Sequence, residues 1–241
     1  MTVKNRVVIV TGASAGIGKA TAELLTRNGA KVALVARSKD KLDKLSKILP
    51  DSLPIACDMA NENQIKNMVK KVFEHYGRID ILINNAGQGY DAMIEDINTG
   101  SIRKIFELDF IGPLVAMQQV IPIMKRQAKG SIINVSSGTA LMHLPNMGGY
   151  ASIKSALAHM SLTAREELKN SGITVSIIYP YMTNTDFEKN TIKEKKQEWN
   201  FDENDPDFKP PDSPEYVAEK IVDLINNGAP EMYAHDWFKN L

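Results

Sequence analysis

Short apolar runs alternate along this chain with longer stretches in which apolar and polar positions are mixed. The runs have the length of buried strands, and the longer stretches have the length and periodicity of amphipathic helices. The pattern predicts strands at residues 7–10, 31–36, 54–57, 79–83, 131–135 and 174–179. It also predicts a helix at 17–27, a helix at 214–225 and a last short strand around 231–235.

This repeated strand-helix order predicts an α/β fold, a doubly wound parallel sheet of the Rossmann type. With 241 residues and 43% hydrophobic content, the chain can form one core, so we expect a single domain over residues 1–241. Ligands of such sheets bind in the crevice at the carboxyl ends of the strands.

The charge balance argues against some classes of partner. The chain has 29 basic and 29 acidic residues, so no net field favours nucleic acid or an anionic membrane. Cys57 is the single cysteine, which excludes an internal disulfide, and we expect it to be a buried packing residue. No signal peptide or membrane-length apolar run is apparent, which predicts a cytoplasmic protein that acts on small molecules. No metal site is expected.

A glycine-rich turn, Thr11-Gly12-Ala13-Ser14-Ala15-Gly16-Ile17-Gly18, joins the first predicted strand to its helix. Glycines at such a turn allow close backbone approach, and helix N–H groups can bind a phosphate. An ordinary strand-to-helix connection is the alternative interpretation.

Tyr150 and Lys154 are four residues apart, so on a helix they share one face. A phenol has a reference pKa of about 10, and a nearby ammonium stabilises its phenolate. The pair could also be a plain amphipathic contact. Ser136 and Ser137 end the strand at 131–135, where a hydroxyl faces the ligand crevice.

Taken in order, Thr11 to Gly18, Asn84-Asn85-Ala86-Gly87, Ser137, Tyr150, Lys154 and Pro180 resemble the short-chain dehydrogenase/reductase family over nearly the whole chain. The resemblance implies that Ser137 orients a substrate carbonyl, that Tyr150 exchanges its proton, and that Lys154 holds the nicotinamide ribose and acidifies Tyr150. The family's thirteen-residue separation from the tyrosine selects Ser137, and we expect Ser136 to pack or to bond backbone.

The end of the second predicted strand bears on cofactor choice. Ala36 supplies no carboxylate to repel a 2′-phosphate, and the Arg37 guanidinium could bind one, so NADP(H) is predicted over NAD(H). A plain surface arginine is the alternative, and Ser14 and Lys39 could add donors. The resemblance assigns Asp58, otherwise a possible N-cap, to the adenine edge. It places the following residues at the cofactor: Gly12, Ser14, Gly16, Ile17, Gly18, Asp58, Asn85, Ala86, Gly87, Tyr150, Lys154, Pro180, Thr183 and Thr185.

Two residues depart from the family pattern. Asp109 stands where the family usually has a relay asparagine, and Pro113 lacks the N–H that would occupy the Asp109 carbonyl, which leaves that oxygen free for a water. An ionised Asp109 would strengthen the Lys154 ammonium and partly offset its pull on Tyr150. Tyr181 stands where the family commonly has glycine, and it either lines the substrate site or packs outward under a lid.

Residues 186–212 are polar and too long for a plain connection, which predicts a substrate lid. Its aromatic side chains are Trp199, Phe201 and Phe208. The charge run at 193–196 is interpreted as a solvated helical face. His143, Leu144, Asn146 and Met147 are predicted to line a moderately apolar substrate site.

These features predict an NADP(H)-dependent enzyme that reduces a ketone or aldehyde, or runs the reverse oxidation. One alternative is a reductase of 3-oxoacyl groups on acyl carrier protein or CoA, which would need a basic docking patch; Lys125 and Arg126 are its nearby candidates. A dinucleotide-sensing scaffold protein is the non-enzymatic alternative. The resemblance implies a homodimer or homotetramer.

Overall fold

The computed structural model describes residues 3–195 and 209–240. The strands are β1 Val7–Thr11, β2 Lys31–Ala36, β3 Leu53–Ala56, β4 Ile81–Asn84, β5 Tyr90–Asp91, β6 Gly130–Val135, β7 Ile173–Tyr179, β8 Ile192–Lys193 and β9 Glu231–Tyr233. The helices are α1 Gly16–Arg27, α2 Lys39–Ser46, α3 Glu62–Tyr76, α4 Thr99–Phe106, α5 Gly112–Arg126, α6 Gly148–Leu168 and α7 Pro214–Asn227.

Seven strands form a parallel sheet in the order β3-β2-β1-β4-β6-β7-β9. Helices α3, α5 and α6 cover one face, and α1, α2 and α7 cover the other. Because both faces are buried, strands such as β1 and β2 consist mostly of apolar residues. The direction of strand order reverses between β1 and β4, which opens the ligand crevice at their carboxyl ends. The predicted doubly wound α/β fold is confirmed.

The predicted strands and helices agree with the structure to within two residues at each end. Two short strands were not predicted: β5 pairs in parallel with β8 in a separate two-stranded sheet. The interpretation of the charge run as a helical face was wrong for its described part, because Lys193 lies in β8 and residues 194–195 are not helical. Cys57 is buried, and its sulfur lies 3.9 Å from that of Met59.

A π-helical turn, Glu107–Ile111, interrupts the long helical stretch between α4 and α5. Its N–H···O bond runs from Gly112 to Glu107, one residue longer than in an α-helix. Pro113 follows at once and cannot donate a hydrogen bond to the preceding turn. The widened turn carries Asp109 inward to full burial beneath the crevice.

Within the described ranges, we find no helix with both the length and the apolar character needed to cross a bilayer.

Candidate active site

The glycine turn between β1 and α1 is built for close backbone approach. Gly12 and Gly16 have φ angles of 71° and 52°, which side-chain-bearing residues rarely adopt. A Cβ on Gly18 would lie 2.4 Å from the Gly12 carbonyl oxygen. The first turn of α1 has no side-chain cap and no acidic residue, so its N–H groups and its positive dipole end face the crevice.

Thr11 and Asn85 fasten this turn to the end of β4. The Thr11 hydroxyl accepts hydrogen bonds from the backbone N–H groups of Asn85, at 2.9 Å, and Ala86, at 3.0 Å. The Asn85 side-chain amide donates to the Thr11 carbonyl at 2.9 Å. The residues that the sequence assigned to the cofactor are thus tied to one another across the switch point of the sheet.

Arg37 is exposed just beyond β2, whose Val35 carbonyl accepts the Ala13 N–H of the glycine turn at 3.1 Å. Arg37 therefore follows a strand that is bonded directly to the glycine turn. Lys39 is held by Asp43 at 2.6 Å, and Ser14 is half-buried in the turn.

Asp58 follows β3, and its carboxylate accepts the Ala60 N–H at 3.0 Å. The alternative interpretation of Asp58 as an N-cap was wrong, because Asn61 caps α3 by accepting the Gln64 N–H.

Near its start, α6 brings Tyr150 and Lys154 to the carboxyl end of β6. Lys154 Nζ lies 5.6 Å from the centre of the Tyr150 ring and donates to the Val135 carbonyl at 3.2 Å. The Ser136 hydroxyl donates to the Lys154 carbonyl at 3.0 Å, which fixes the helix against the strand end. Tyr150 and Lys154 are both buried.

Ser137 is placed by Thr139, a residue that sequence reasoning missed. The Ser137 oxygen accepts from the Thr139 hydroxyl at 2.9 Å and from the Thr139 N–H at 3.2 Å. With those two bonds accepted, the Ser137 O–H is left as a donor, and it is hydrogen-bonded to Tyr150 in the crevice. The short 3₁₀ turn after β6 sets this geometry.

Asp109 lies next to Lys154. Its Oδ2 is 3.0 Å from Lys154 Nζ, and its Oδ1 accepts the Gln88 backbone N–H at 3.0 Å. Gly87 has no room for a side chain, because a Cβ there would lie 2.7 Å from Asp109 Oδ2 and 3.3 Å from Lys154 Nζ. The carboxylate is fully buried and its oxygens face two separate donors.

Burial controls the protonation of this cluster. Burial, reinforced by the Asp109 carboxylate, raises the pKa of Tyr150 to about 12, while Lys154 and a hydrogen bond with Ser137 act in the opposite direction. Burial alone would lower the pKa of Lys154, but Asp109 and Tyr150 raise it above its ordinary value. In this protein environment Lys154 is therefore charged and Tyr150 is protonated at neutral pH. The expected acidification of Tyr150 by Lys154 is present but is outweighed by burial.

The segment that follows Gly87 is paired with the first part of the predicted lid. The Gln88 side chain donates to the Asn190 carbonyl at 2.8 Å, and the Ile192 N–H donates to Gly89 at 3.0 Å. Phe187 in this segment places its ring 6.1 Å from that of Tyr150. Trp199, Phe201 and Phe208, the aromatic residues that the lid prediction named, lie outside the described residues.

Tyr181 turns towards the C-terminal segment of the chain. Its ring contacts those of His235, Trp237 and Phe238, and its hydroxyl donates to the Lys209 carbonyl at 3.2 Å. Phe238 in turn packs on Gly138, where a Cβ would lie 2.5 Å from the phenyl ring. Of the two placements left open from sequence, these contacts correspond to packing beneath the end of the predicted lid.

The loop after β7 closes on both neighbouring turns. The Pro180 carbonyl accepts the Gly138 N–H at 2.7 Å, and the Thr183 hydroxyl donates to the Tyr181 carbonyl at 2.9 Å. A Cβ on Gly16 would lie 3.0 Å from Thr185 Cγ2, so Thr185 borders the glycine turn.

The remaining predicted substrate residues differ in position. Met147 packs beside Tyr150 in one apolar cluster, whereas His143 is exposed. Lys125 and Arg126 end α5 before the amino end of β6, on the edge of the sheet opposite the crevice. Their assignment as a basic patch near the cleft was wrong, because Ser137 and the cleft lie at the carboxyl end of β6, whereas Lys125 and Arg126 lie at its amino end.

The described residues fit a dinucleotide. The glycine cradle would be filled by any added Cβ, and the uncapped start of α1 suits a pyrophosphate. The end of β2 provides a cation and no carboxylate for an adenosine ribose. Lys154 lies next to Gly87, which follows the Asn85 and Ala86 bonded to Thr11, and its ammonium lies 5.6 Å from the centre of the Tyr150 ring.

Comparison with known proteins gives matches along most of the chain. The family model described as short chain dehydrogenase matches residues 6–196. An uncharacterized oxidoreductase of Staphylococcus saprophyticus is 32% identical over 93% of this chain and 91% of that protein. The 3-oxoacyl-[acyl-carrier-protein] reductase FabG of Thermotoga maritima is 36% identical over 75% of this chain and 75% of that protein. The crystal structure of a short-chain dehydrogenase from Streptomyces avermitilis matches with a TM-score of 0.85 and 26% identity, covering 100% of this chain and 91% of that chain.

Proposed function

The chain belongs to the short-chain dehydrogenase/reductase family, and from this premise we propose that it is an NADP(H)-dependent oxidoreductase that interconverts a ketone or aldehyde and its alcohol. The observation that carries the proposal is the juxtaposition of Ser137, Tyr150 and Lys154. Lys154 lies next to Gly87, which follows the two residues, Asn85 and Ala86, that are bonded to Thr11 at the glycine turn. NADPH oxidation measured with a panel of carbonyl compounds tests it. A protein that binds NADPH but reduces none of them would be a sensor or scaffold instead.

Each polar residue of the site has a chemical task in this reaction. Bound NADP(H) would supply or accept the hydride, which is the chemistry of the cofactor. The Ser137 hydroxyl, positioned by the two bonds that its oxygen accepts from Thr139, orients the carbonyl oxygen. Tyr150 transfers the proton, and Lys154 holds the ribose hydroxyls. Its raised pKa keeps Tyr150 protonated at neutral pH, which is the form that can donate a proton to a carbonyl under reduction.

The preference for NADP(H) depends on Arg37. We expect Arg37→Ala to raise the KM for NADPH by about 10- to 100-fold, the value of one charge-assisted hydrogen bond to phosphate, and to leave the KM for NADH unchanged. Lys31→Ala is the matched control, because Lys31 is exposed at the other end of the same strand. An unchanged NADPH preference in Arg37→Ala would remove the arginine from the proposal.

The rim around Tyr150 favours a free apolar carbonyl over a carrier-bound one. Met93, Ile94 and Phe187 are 42%, 74% and 41% exposed, unusual values for large apolar side chains. A Cβ on Gly148 would lie 2.8 Å from Ile94 Cδ1, and Phe187 contacts the ring of Tyr150 itself. The rim therefore offers apolar surface to whatever carries the carbonyl.

Two lysines in the described part of the chain near this rim, Lys189 and Lys195, are paired with carboxylates. Lys189 lies 2.7 Å from Asp186, and Lys195 lies 2.6 Å from Asp96. These pairs leave less positive charge for the phosphate groups of a carrier substrate. Lys125 and Arg126, the other candidates, lie at the opposite edge of the sheet.

We expect kcat/KM for NADPH-dependent reduction to rise along the series butanal, hexanal, octanal. Each methylene buried on the rim contributes about 0.8 kcal/mol, or about fourfold, as an upper value. Ile94→Ser and Phe187→Ser should flatten the series, whereas Phe73→Ser, on an exposed apolar position of α3, should not. A higher kcat/KM for acetoacetyl-CoA than for any alkanal would instead support the carrier-bound alternative.

A further inference from the structure

Asp109 has an unusual setting for a buried acid. Its Oδ2 lies beside the Lys154 ammonium at 3.0 Å and its Oδ1 accepts the Gln88 N–H at 3.0 Å. An asparagine has one acceptor oxygen, so at this position it could satisfy one of these donors and would turn its NH₂ group towards the other. Only a carboxylate matches both donors at once.

The loop held by Asp109 leads directly to the segment that borders the substrate. Gln88 reaches forward through its side chain to Asn190, and the next residues form β5, which pairs with β8. The Tyr90 hydroxyl adds a bond to Glu194 Oε1 at 3.2 Å. Gly89 has no space for a side chain, because a Cβ would lie 2.2 Å from Thr191 Oγ1. The two segments are thus closely joined.

From these contacts we infer that Asp109 is a positioning residue that couples the catalytic lysine to the substrate-bordering segment 187–194. One carboxylate oxygen holds Lys154 and the other holds the loop 87–91, which is bonded to that segment. The same carboxylate therefore keeps Lys154 in place beside Tyr150 and anchors the loop that is bonded to the segment 187–194. The inference has a structural half, the anchoring of the loop 87–91, and a catalytic half, the positioning of Lys154. It deepens the proposed function, and only the catalytic half rests on that function.

Hydrogen exchange on the full chain tests the structural half without any turnover. In Asp109→Asn, the single acceptor oxygen should turn to the Lys154 ammonium, because an NH₂ group facing that cation would be repelled, and the Gln88 N–H then loses its acceptor. We therefore expect the backbone amides of residues 88–91 and 190–194 to exchange at least about tenfold faster than in the wild type. Glu107→Gln makes the same chemical change at an exposed position of the same π-helical turn and should leave these amides unchanged. Equal exchange in Asp109→Asn and wild type would overturn the inference, as would a uniform rise throughout α4 and α5.

The catalytic half is tested by the pH profile of reduction. The charged groups that face Tyr150 are Lys154 and Asp109, and the Asp109 carboxylate raises the pKa of Tyr150. Asp109→Asn should remain active, with the limb of the profile that reports Tyr150 shifted down by about one pH unit. Gln88→Ala keeps the bond to Asp109 and removes the bond to Asn190, so it should speed exchange at 190–194 without moving the profile. A shift of the same size in Gln88→Ala would overturn the assignment, as would an unshifted profile in Asp109→Asn. An inactive wild type would instead refute the proposed function, and the result of the hydrogen-exchange experiment would still hold.

Discussion

Replacing Tyr150 with phenylalanine should lower kcat by about 100- to 10,000-fold, the range that general acid catalysis contributes. The ring would keep its contacts with Ile153 and Met147, because only the hydroxyl is removed. NADPH affinity should therefore stay within about twofold, so that the loss appears in kcat and kcat/KM together. Steady-state kinetics combined with a direct NADPH-binding titration measures both quantities.

Tyr76→Phe is the control for this variant. The Tyr76 hydroxyl donates to the Asp51 carbonyl at 2.8 Å, outside the crevice. Its removal should cost about 1 kcal/mol of unfolding free energy and leave kcat unchanged. Wild-type turnover in Tyr150→Phe would show that another group donates the proton and would contradict the proposed mechanism.

The parts of the fold that the sequence predicted are those fixed by burial on both faces of the sheet. Such strands are mostly apolar, so β1 and β2 stand out as apolar runs in the sequence. Strands β5 and β8 are two residues long and pair across about a hundred residues, so no local pattern marks them. The predicted helical face at residues 193–196 was wrong in its described part for the same reason. The hydrogen bond between Ile192 and Gly89 overrides the helical preference of lysine and glutamate.

Within the site, the identity of the reactive side chains was easier to predict from the sequence than their burial. The spacing of Tyr150 and Lys154 placed a phenol and an ammonium together, as the structure does. The sequence could not show how deeply they are buried, and burial reverses the expected direction of the Tyr150 pKa shift. Thr139 and Gln88 were missed because their bonds involve backbone amides, which leave no residue pattern.

Replacing Lys154 with methionine should abolish turnover and also lower the free energy of unfolding by about 3 to 5 kcal/mol, the cost of leaving one member of a buried ion pair alone. Methionine fills a similar volume, so lost packing contributes little. Asp109, fully buried, would then face no cation among its described contacts. Urea unfolding monitored by circular dichroism measures the loss.

The double variant Lys154→Met/Asp109→Leu separates the ion pair from the packing. With both charges gone, we expect most of the lost stability to return while turnover stays absent, because the desolvation cost of the lone carboxylate disappears.

The pH dependence of the unfolding free energy provides a second check. Burial raises the pKa of Asp109. In the single variant, the Asp109 carboxylate therefore binds a proton more readily in the folded protein than in the unfolded chain. A folded-state pKa above the unfolded one adds stability at low pH that is lost as the pH rises through it. The stability gap between the single and double variants should therefore narrow as the pH falls from 8 towards the ordinary carboxyl range near about 4, and a gap independent of pH would show that Asp109 is not the group left unpaired.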